Sequence, residues 1–364
     1  MVARSNAELV GRSVSELATP CLIVDEAALT ANLELLASYF EDRVCKIRPH
    51  FKAHKCVSLA RRQLSTGSCV GICCAKLSEA EVLVEGGIED VLIANQVVGP
   101  DKATRLARLN RTATVRCAVD DCANIAELGA AAAEEGVTVG ILVEVDVGMK
   151  RCGVPPGQPA VTMAQLVAAT PGLRFDGLQG YEGHAVVLPD YDERKQRVTE
   201  DLGMLVDTRR AIESSGLPVK IVSSGGTGTY DITGNIPGID EVQCGTYALM
   251  DVFYAQVRPE FAIARSILAT VVSNKHDQVV VDVGLKGIGG EFCDPVLLEY
   301  PEAKPRYVSE EHTPFMEVTE DVGKRVYILP PHGCTTNNLH RELYLVRNGK
   351  VVDVWPIEGA GCLE

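Results

Sequence analysis

The hydrophobic positions between residues 46 and 250 form a repeating pattern. Short, nearly continuous apolar runs alternate with longer segments in which apolar residues recur every three or four positions. Continuous apolar runs are typical of parallel strands buried on both faces, and the longer periodic segments are typical of helices. Eight strands are predicted: Ile47–Lys52, Val70–Cys74, Asp90–Asn95, Thr114–Asp120, Gly140–Asp146, Phe175–Glu182, Ile221–Gly226 and Glu241–Gly245.

Helical segments separate most of these strands. Ser78–Glu85 opens with a capping residue and early acids, and Asp121–Glu135 is rich in alanine, the best helix former. Asp192–Ser215 carries its apolar residues on one stripe. The glycine-rich stretch from Gly228 to Gly238 is short, so the last helix is the least defined. Strand–helix units repeated over about 200 residues predict a (β/α)8 barrel of the TIM type.

The pattern changes after Asp251, where apolar and polar residues alternate as in strands with one buried face. Asn348-Gly349 between two such runs predicts a hairpin turn. The earlier run Thr19–Asp25 precedes the barrel and is predicted to pair with this region. We therefore predict an α/β protein with a barrel over residues 27–252 and a discontinuous, mostly β domain over 1–26 and 253–364. The later strands are predicted at Ser266–Ser273, Gln278–Val283, Arg325–Leu329 and Glu342–Arg347.

Composition excludes several classes of protein. The net charge of −14 argues against nucleic acid, because a phosphate backbone requires a basic surface. No apolar run approaches the roughly 20 residues that span a bilayer, and residues 1–18 lack the apolar stretch of a signal peptide. We therefore expect a cytoplasmic protein without membrane partners. Most of the 13 cysteines lie in apolar strands, where a reduced thiol behaves as a small hydrophobic group.

Lys52 is the first candidate for chemistry. It ends the first predicted strand, and active sites of such barrels lie at the carboxyl ends of the strands. Cationic or partly buried neighbours disfavour a charged ammonium, and a Schiff base with a carbonyl cofactor requires the neutral amine. The same segment also fits a basic surface turn. Its basic neighbours in the sequence are Arg48, His50, His54 and Lys55.

Glycine-rich segments follow the seventh and eighth predicted strands. Gly226 and Thr227 lie in the first, and Gly245, Thr246 and Tyr247 form the second. Loops at these positions often hold phosphate, because glycines let backbone N–H groups converge on an anion while hydroxyls add donors. A Schiff-base lysine together with a phosphate cradle indicates pyridoxal 5′-phosphate.

Three further candidates lie in loops at the same predicted barrel mouth. Arg151 follows the fifth strand, where it can reach the cofactor ring or a substrate carboxylate, or be an ordinary surface arginine. Tyr181 and His184 follow the sixth strand. Tyr181 is a candidate for packing on the cofactor ring. His184 is a candidate for acid–base catalysis, although a loop histidine is more often structural.

His332 and Cys334 are candidate metal ligands. They follow a predicted strand, and residues two apart on an extended chain project to the same side. Imidazole and thiolate together bind a borderline divalent ion such as zinc, with water or substrate completing the coordination. Such a pair taken alone is usually not metal-binding.

Taken together, these motifs resemble the D-threonine aldolase and D-serine dehydratase family of pyridoxal-phosphate enzymes, whose fold is alanine racemase-like. The resemblance implies that Lys52 carries the cofactor, that the glycine loops hold its phosphate, and that His332 and Cys334 bind a divalent metal. It also implies a homodimer acting on a small D-amino acid. Zinc is favoured by the cysteine, with manganese or magnesium as alternatives. The resemblance rests on Arg48–Lys52, Gly71–Cys74 with Ser78–Ala80, Arg151–Gly153, Gly225–Gly228, Gly245–Tyr247, Asp282–Lys286 and His332–Cys334.

Two departures from the aldolases leave the reaction open. Aldolases usually carry His-x-Asp at the metal site, whereas His332 and Cys334 match the dehydratases. Aldolases also carry a histidine several residues after the strand-six tyrosine, where this chain has Val186 and Val187 and the nearest histidine is His184. The leading hypothesis is cleavage of a D-3-hydroxy amino acid to glycine and an aldehyde. Dehydration of a D-serine or D-3-hydroxyaspartate type substrate to a keto acid and ammonia is the alternative. A non-catalytic pyridoxal-phosphate carrier and a sugar-phosphate barrel enzyme are alternatives of other classes.

Overall fold

The computed structural model describes residues 8–364, which form two compact units. The barrel unit comprises Ala37–Lys52, Ala60–Gly245 and Cys362–Glu364. The β unit comprises residues 8–36, Ala53–Leu59 and Thr246–Gly361. The predicted domain extents, 27–252 and 1–26 with 253–364, stay predictions, and residues 1–7 lie outside the described residues. No helix within residues 8–364 is long and apolar enough to cross a membrane.

Eight parallel strands form the barrel unit. Numbered in chain order through both units, they are β2 (Lys46–Ile47), β3 (Ile72–Cys74), β4 (Asp90–Gln96), β5 (Thr114–Val119), β6 (Val139–Glu144), β7 (Leu173–Gln179), β8 (Ile221–Ser224) and β9 (Glu241–Val242). Their order is β2-β9-β8-β7-β6-β5-β4-β3, and parallel bridges from Ile47 to Cys69 and from His50 to Cys73 close the ring. The predicted barrel is confirmed.

The first barrel strand is shorter than predicted. β2 ends at Ile47, and Phe51–Ala53 form a 3₁₀ turn that contains Lys52. Pro49 interrupts the ladder, because proline has no N–H to donate to a sheet, and beyond it only the bridge from His50 to Cys73 continues the pairing. Lys52 therefore follows the strand at a distance of five residues and does not end it.

One helix precedes each barrel strand: α1 (Glu26–Phe40), α2 (Val57–Leu64), α3 (Leu77–Glu85), α4 (Pro100–Leu109), α5 (Cys122–Glu134), α6 (Gln158–Ala169), α7 (Tyr191–Ser214) and α8 (Tyr230–Thr233). Carboxylates of Asp121 and Asp190 cap α5 and α7 by accepting backbone N–H groups. At α3 the predicted cap is wrong: Ser78 lies inside the helix, and Glu79 accepts the N–H groups ahead of it. α8 is a single turn.

The β unit contains β1 (Cys21–Asp25), β10 (Arg265–Ser273), β11 (Gln278–Val281), β12 (Val296–Leu297), β13 (Thr313–Met316), β14 (Arg325–Leu329), β15 (Glu342–Arg347), β16 (Lys350–Pro356), α9 (Val252–Ala255) and α10 (Gly333–Asn338). β1 pairs antiparallel with β10 and parallel with β15, which confirms the predicted pairing of the early strand. Asn348 and Gly349 both have positive φ, 51° and 72°, as a tight hairpin turn requires.

The cysteines are free thiols, as the composition indicated. Those in the barrel strands are buried among apolar residues. Burial raises the pKa of the Cys117 thiol to about 12, so this thiol stays protonated and acts as core.

Candidate active site

Lys52 lies in the barrel unit with its side chain half-buried. Its backbone N–H donates to Nδ1 of His50 at 3.4 Å. Burial raises the pKa of the Cys73 thiol in β3, and the charges that act on this thiol include that of Lys52.

Two of the basic neighbours of Lys52 are engaged elsewhere. Arg48 donates from Nε to Glu241 (2.7 Å) and from Nη1 to Asp90 (2.6 Å), two carboxylates at the amino ends of β9 and β4. Lys55, in the β unit, donates from Nζ to the carbonyl of Gly359 at 3.2 Å. Each of these two cations is therefore bound to acceptors of its own.

The glycine-rich segment after β8 forms a buried loop in which Gly226 and Thr227 are enclosed. Gly225 has a φ of +76°. At Gly228 an added Cβ would lie 1.8 Å from the carbonyl oxygen of Val186, so only glycine fits. The loop therefore packs backbone against backbone on the segment after β7.

The second glycine segment follows β9. Gly245 is buried at the end of the barrel unit. Thr246 and Tyr247 belong to the β unit and begin a 3₁₀ turn, Thr246–Ala248, in which both are buried. The Tyr247 ring meets Phe261 edge to face at 6.0 Å.

Arg151, Tyr181 and Gly226 come together within the barrel unit. The guanidinium carbon of Arg151 lies 5.5 Å from the centre of the Tyr181 ring. An added Cβ at Gly226 would lie 3.7 Å from the same ring, so Tyr181 packs directly on the glycine loop. Burial raises the pKa of Glu144, at the end of β6, while Gln96 and the Arg151 charge oppose this shift.

A chain of polar side chains crosses the carboxyl ends of the barrel strands, and sequence reasoning missed it. Gln96 donates to Glu144 at 2.6 Å, and Glu144 is also hydrogen-bonded to Gln179. Gln243 then donates to Gln179 at 3.0 Å and to Ser223 at 2.8 Å. The signal available was a polar residue at the end of each otherwise apolar run, which we interpreted as the strand boundary.

His184 lies in the loop after β7, beside α7. Its Nε2 is 2.8 Å from Oδ2 of Asp201, which also accepts from Arg197 Nε at 3.1 Å. The other ring nitrogen, Nδ1, is buried without a hydrogen-bond partner among the described residues. A cavity of about 400 Å³ borders the ring, lined also by Leu188 and Arg197. Nε2 therefore lies between the carboxylate of Asp201 and the guanidinium of Arg197, whose Nε also donates to it at 3.3 Å, while Nδ1 has no bond of its own among the described residues.

His332 and Cys334 meet in the β unit, but not on an extended chain as predicted. His332 is the extended residue before α10, and Cys334 lies inside that helix. The imidazole of His332 interacts with the thiol of Cys334, and its Nδ1 lies 3.3 Å from Oδ2 of Asp251. Burial disfavours protonation of His332, but the contacts with Asp251 and Cys334 prevail and raise its pKa to about 10. Asp251 Oδ2 also accepts the N–H of Gly333 at 2.8 Å.

This pair fits a metal site that has two protein ligands. Within residues 8–364, no three His, Cys, Asp or Glu side chains converge on one point. Imidazole and thiolate are the donor types that zinc prefers, and a carboxylate behind a ligating imidazole is the usual support for such a ligand. The Phe292 ring meets the His332 ring edge to face at 5.0 Å.

The fold and these residues define a class, which comparison with known proteins also identifies. Residues 24–251 match the family model of the alanine racemase N-terminal domain, and residues 264–346 match a serine dehydratase domain model. The chain belongs to the D-threonine aldolase and D-serine dehydratase family, which has the alanine racemase-like fold.

Three relatives show how far the similarity extends. A 3-hydroxy-D-aspartate aldolase of Paracoccus denitrificans (strain Pd 1222) is 39% identical over 97% of this chain and 95% of its own. The crystal structure of D-threonine aldolase from Filomicrobium marinum has a TM-score of 0.95 and 37% identity, covering 98% of this chain and 99% of that one. A D-threo-3-hydroxyaspartate dehydratase of Delftia sp. (strain HT23) is 25% identical over 88% of this chain and 92% of its own.

Proposed function

We propose that this protein is a pyridoxal-phosphate- and divalent-metal-dependent lyase that cleaves a D-3-hydroxy amino acid to glycine and an aldehyde. One observation carries the proposal: a lysine and a buried glycine loop lie beyond the carboxyl ends of strands in one closed barrel. Whole-chain similarity to two aldolases supports cleavage as the reaction.

The barrel unit would hold the cofactor. Lys52 would bind its carbonyl carbon through Nζ, while Gly226, Thr227 and Gly245 would bind its phosphate, joined by Thr246 and Tyr247 next along the chain. Pyridoxal phosphate supplies an electron sink for a bond that breaks at the substrate α-carbon. Arg151 and Tyr181, which lie together beside Gly226, would bind the cofactor ring or the substrate carboxylate.

The β unit would hold the metal through His332 and Cys334. Zinc suits the thiolate, and manganese or magnesium are the alternatives. The ion supplies a Lewis acid for the substrate β-hydroxyl. His184, whose Nε2 lies beside the carboxylate of Asp201, would accept the proton of that hydroxyl.

Dehydration is the second candidate, and the cysteine at position 334 favours it. The two reactions give different products from the same substrate. Cleavage of D-threonine yields acetaldehyde and glycine, and dehydration yields 2-oxobutanoate and ammonia. Cleavage of 3-hydroxy-D-aspartate yields glyoxylate and glycine, and dehydration yields oxaloacetate and ammonia.

Product identification therefore tests the proposal. The purified protein is incubated with pyridoxal phosphate, each substrate, and zinc, manganese or magnesium in turn. Glycine with an aldehyde supports cleavage. A keto acid with ammonia shows that the reaction is dehydration and not cleavage. No turnover of any D-3-hydroxy amino acid with any metal indicates a carrier. Failure of borohydride to attach the cofactor to the protein indicates a different barrel enzyme.

We also propose a homodimer, on the resemblance alone. Sedimentation equilibrium measures this directly, and a monomer at micromolar concentration would contradict it. Location in the cytoplasm stays a prediction from the sequence.

A further inference from the structure

Glu182 is a buried carboxylate for which the proposed reaction has no use. It lies two residues before His184 and is fully buried. Four donors surround it. Oε2 accepts from the Ser224 hydroxyl at 3.0 Å and from the Gly225 N–H at 3.2 Å. Oε1 accepts from the hydroxyls of Thr229 at 2.7 Å and Thr233 at 2.8 Å.

The hydrogen-bond donors that surround Glu182 are all uncharged: three are hydroxyl groups and one is a peptide N–H. A buried charge that lacks a counterion is tolerated only when hydrogen bonds satisfy it. Here all four donors come from one segment, Ser224–Thr233. The carboxylate is therefore matched to the conformation of that segment and to no other part of the barrel.

This segment contains the glycine loop proposed to bind phosphate. Gly225 is in the left-handed region with its N–H turned toward Glu182. Thr229 connects the carboxylate to the next glycine, because its hydroxyl donates to Glu182 and receives the N–H of Gly226 at 3.3 Å. Glu182 thus controls the direction of two successive glycine N–H groups.

Two further contacts fix the same loop. Gly228 lies against the carbonyl of Val186, four residues after Glu182. The Ser224 hydroxyl also lies 2.5 Å from the carbonyl oxygen of Gly180, two residues before Glu182, so its single proton is shared between that carbonyl and the carboxylate. The segment after β7 and the loop after β8 are therefore held together at three points, and the carboxylate is the central one.

We propose that Glu182 is a positioning residue that sets the glycine loop for binding the phosphate of the cofactor. It would determine affinity for the phosphate group and not for the pyridoxal ring. The inference rests on the proposed function, since it assumes that the loop Ser224–Thr229 holds that phosphate. The alternative is a structural role only, in which Glu182 stabilises the barrel without favouring phosphate.

The two roles predict different results when pyridoxal 5′-phosphate is compared with pyridoxal. The variant Glu182→Gln keeps the shape of the side chain but replaces one acceptor oxygen with an NH₂ donor. The Gly225 N–H is a donor, so the oxygen of the new side-chain amide must face it. The NH₂ group then faces Thr229, and the hydroxyl proton of Thr229 must point away from it. The dissociation constant of each ligand is measured by titrating the apoprotein and following absorbance and fluorescence.

We expect the dissociation constant for pyridoxal phosphate to rise about tenfold, the effect of losing one hydrogen bond to a charged group. The dissociation constant for pyridoxal should change by no more than about twofold, because pyridoxal has no phosphate group to contact the loop. Inorganic phosphate should likewise compete less well with pyridoxal phosphate. Equal weakening of both ligands, or no weakening of either, overturns the proposal.

Two further variants serve as controls, one for a general loss of stability and one for a failure of Glu182→Gln to fold. Glu241→Gln alters another buried carboxylate of the same barrel, paired with Arg48 at the opposite strand ends. We expect it to lower the melting temperature while leaving the ratio of the two dissociation constants unchanged; a changed ratio would overturn the proposal. If Glu182→Gln does not fold, Thr233→Val removes one of the four donors and should give a smaller, equally selective loss.

Failure of the proposed function would be visible in the unmodified protein. If it binds neither ligand, the cofactor assignment fails. If it binds pyridoxal phosphate no better than pyridoxal, the loop does not hold the phosphate. If it prefers the phosphate and Glu182→Gln keeps that preference intact, only the inference about Glu182 is wrong.

Discussion

Substitution of Gly228 tests the loop geometry directly, because an added methyl group has nowhere to go. The Cβ of alanine would lie 1.8 Å from the Val186 carbonyl oxygen and 2.8 Å from its carbon. A carbon–oxygen contact needs about 3.3 Å, so the two backbones must separate by about 1.5 Å. Both are main-chain segments, and neither can move aside as a flexible side chain would.

The expected cost follows from this displacement. Forcing extra volume into packed structure typically costs about 1–3 kcal/mol, and we take the upper end, about 3 kcal/mol, because the obstacle is backbone. At about 2–4 °C for each kcal/mol in domains of 150–250 residues, Gly228→Ala should lower the melting temperature of the barrel by roughly 6–12 °C. Affinity for pyridoxal phosphate should fall with it.

Gly203 provides the matched control. It lies inside α7, and an added Cβ there would meet nothing within 4 Å. Alanine is the better helix former by about 1 kcal/mol, so Gly203→Ala should raise the melting temperature slightly. Differential scanning calorimetry measures both variants beside the unmodified protein. A Gly228→Ala variant that melts within about 2 °C of the original, or a Gly203→Ala variant that melts as low, would refute the reasoning.

Three other predictions concern the cofactor, the metal and the barrel. Lys52→Ala should abolish borohydride fixation of pyridoxal phosphate to the protein, detected by mass spectrometry; fixation that persists would identify another lysine. Asp251→Asn should weaken zinc binding about 10–100-fold in competition with a chelator, since it supports a ligating imidazole; unchanged affinity would remove Asp251 from the site. Asp176 is buried, which alone would raise its pKa, but Arg174 and Arg116 lower that pKa below its usual value. The ionised carboxylate should therefore stabilise the fold above about pH 4, and this stabilisation should be lost as the pH falls toward its folded-state pKa. The difference in unfolding free energy between the original protein and Asp176→Asn should shrink in acid. A difference that grows would contradict this.

The barrel could be predicted because its strands are buried on both faces. β6 is buried at all six of its positions, and such a run cannot be mistaken for an amphipathic element. The strand ends were less predictable. The mostly buried run Ile47–Lys52 continues beyond β2 with a single bridge from His50 to Cys73, and then enters the 3₁₀ turn that begins at Phe51. Hydrophobic pattern reports burial, and pairing depends on the backbone as well.

The candidate residues could be predicted from their positions in the loops after the strands, and their supporting groups could not. The Glu182–Gly225 contact joins residues 43 apart in the chain, and the Asp251–Gly333 contact joins residues 82 apart. No local pattern marks either carboxylate, because each ends or follows an apolar run in the ordinary way. Only the folded chain reveals that these are the acceptors for particular glycine N–H groups.

These two contacts, one in each unit, have the same chemical arrangement. In each, a fully buried carboxylate accepts the N–H of a glycine that directly adjoins a proposed ligand residue: Gly225 precedes Gly226, and Gly333 separates His332 from Cys334. Glycine permits the close approach, and the carboxylate fixes the peptide plane that a flexible glycine would leave free. At Gly333 an added Cβ would lie 2.0 Å from the buried guanidinium of Arg265, so this backbone is confined from behind as well. A ligand held by short glycine segments loses affinity if those segments fluctuate, since ordering them on binding costs entropy. A buried acceptor lowers that cost in advance, so a carboxylate placed in this way would favour binding without touching the ligand.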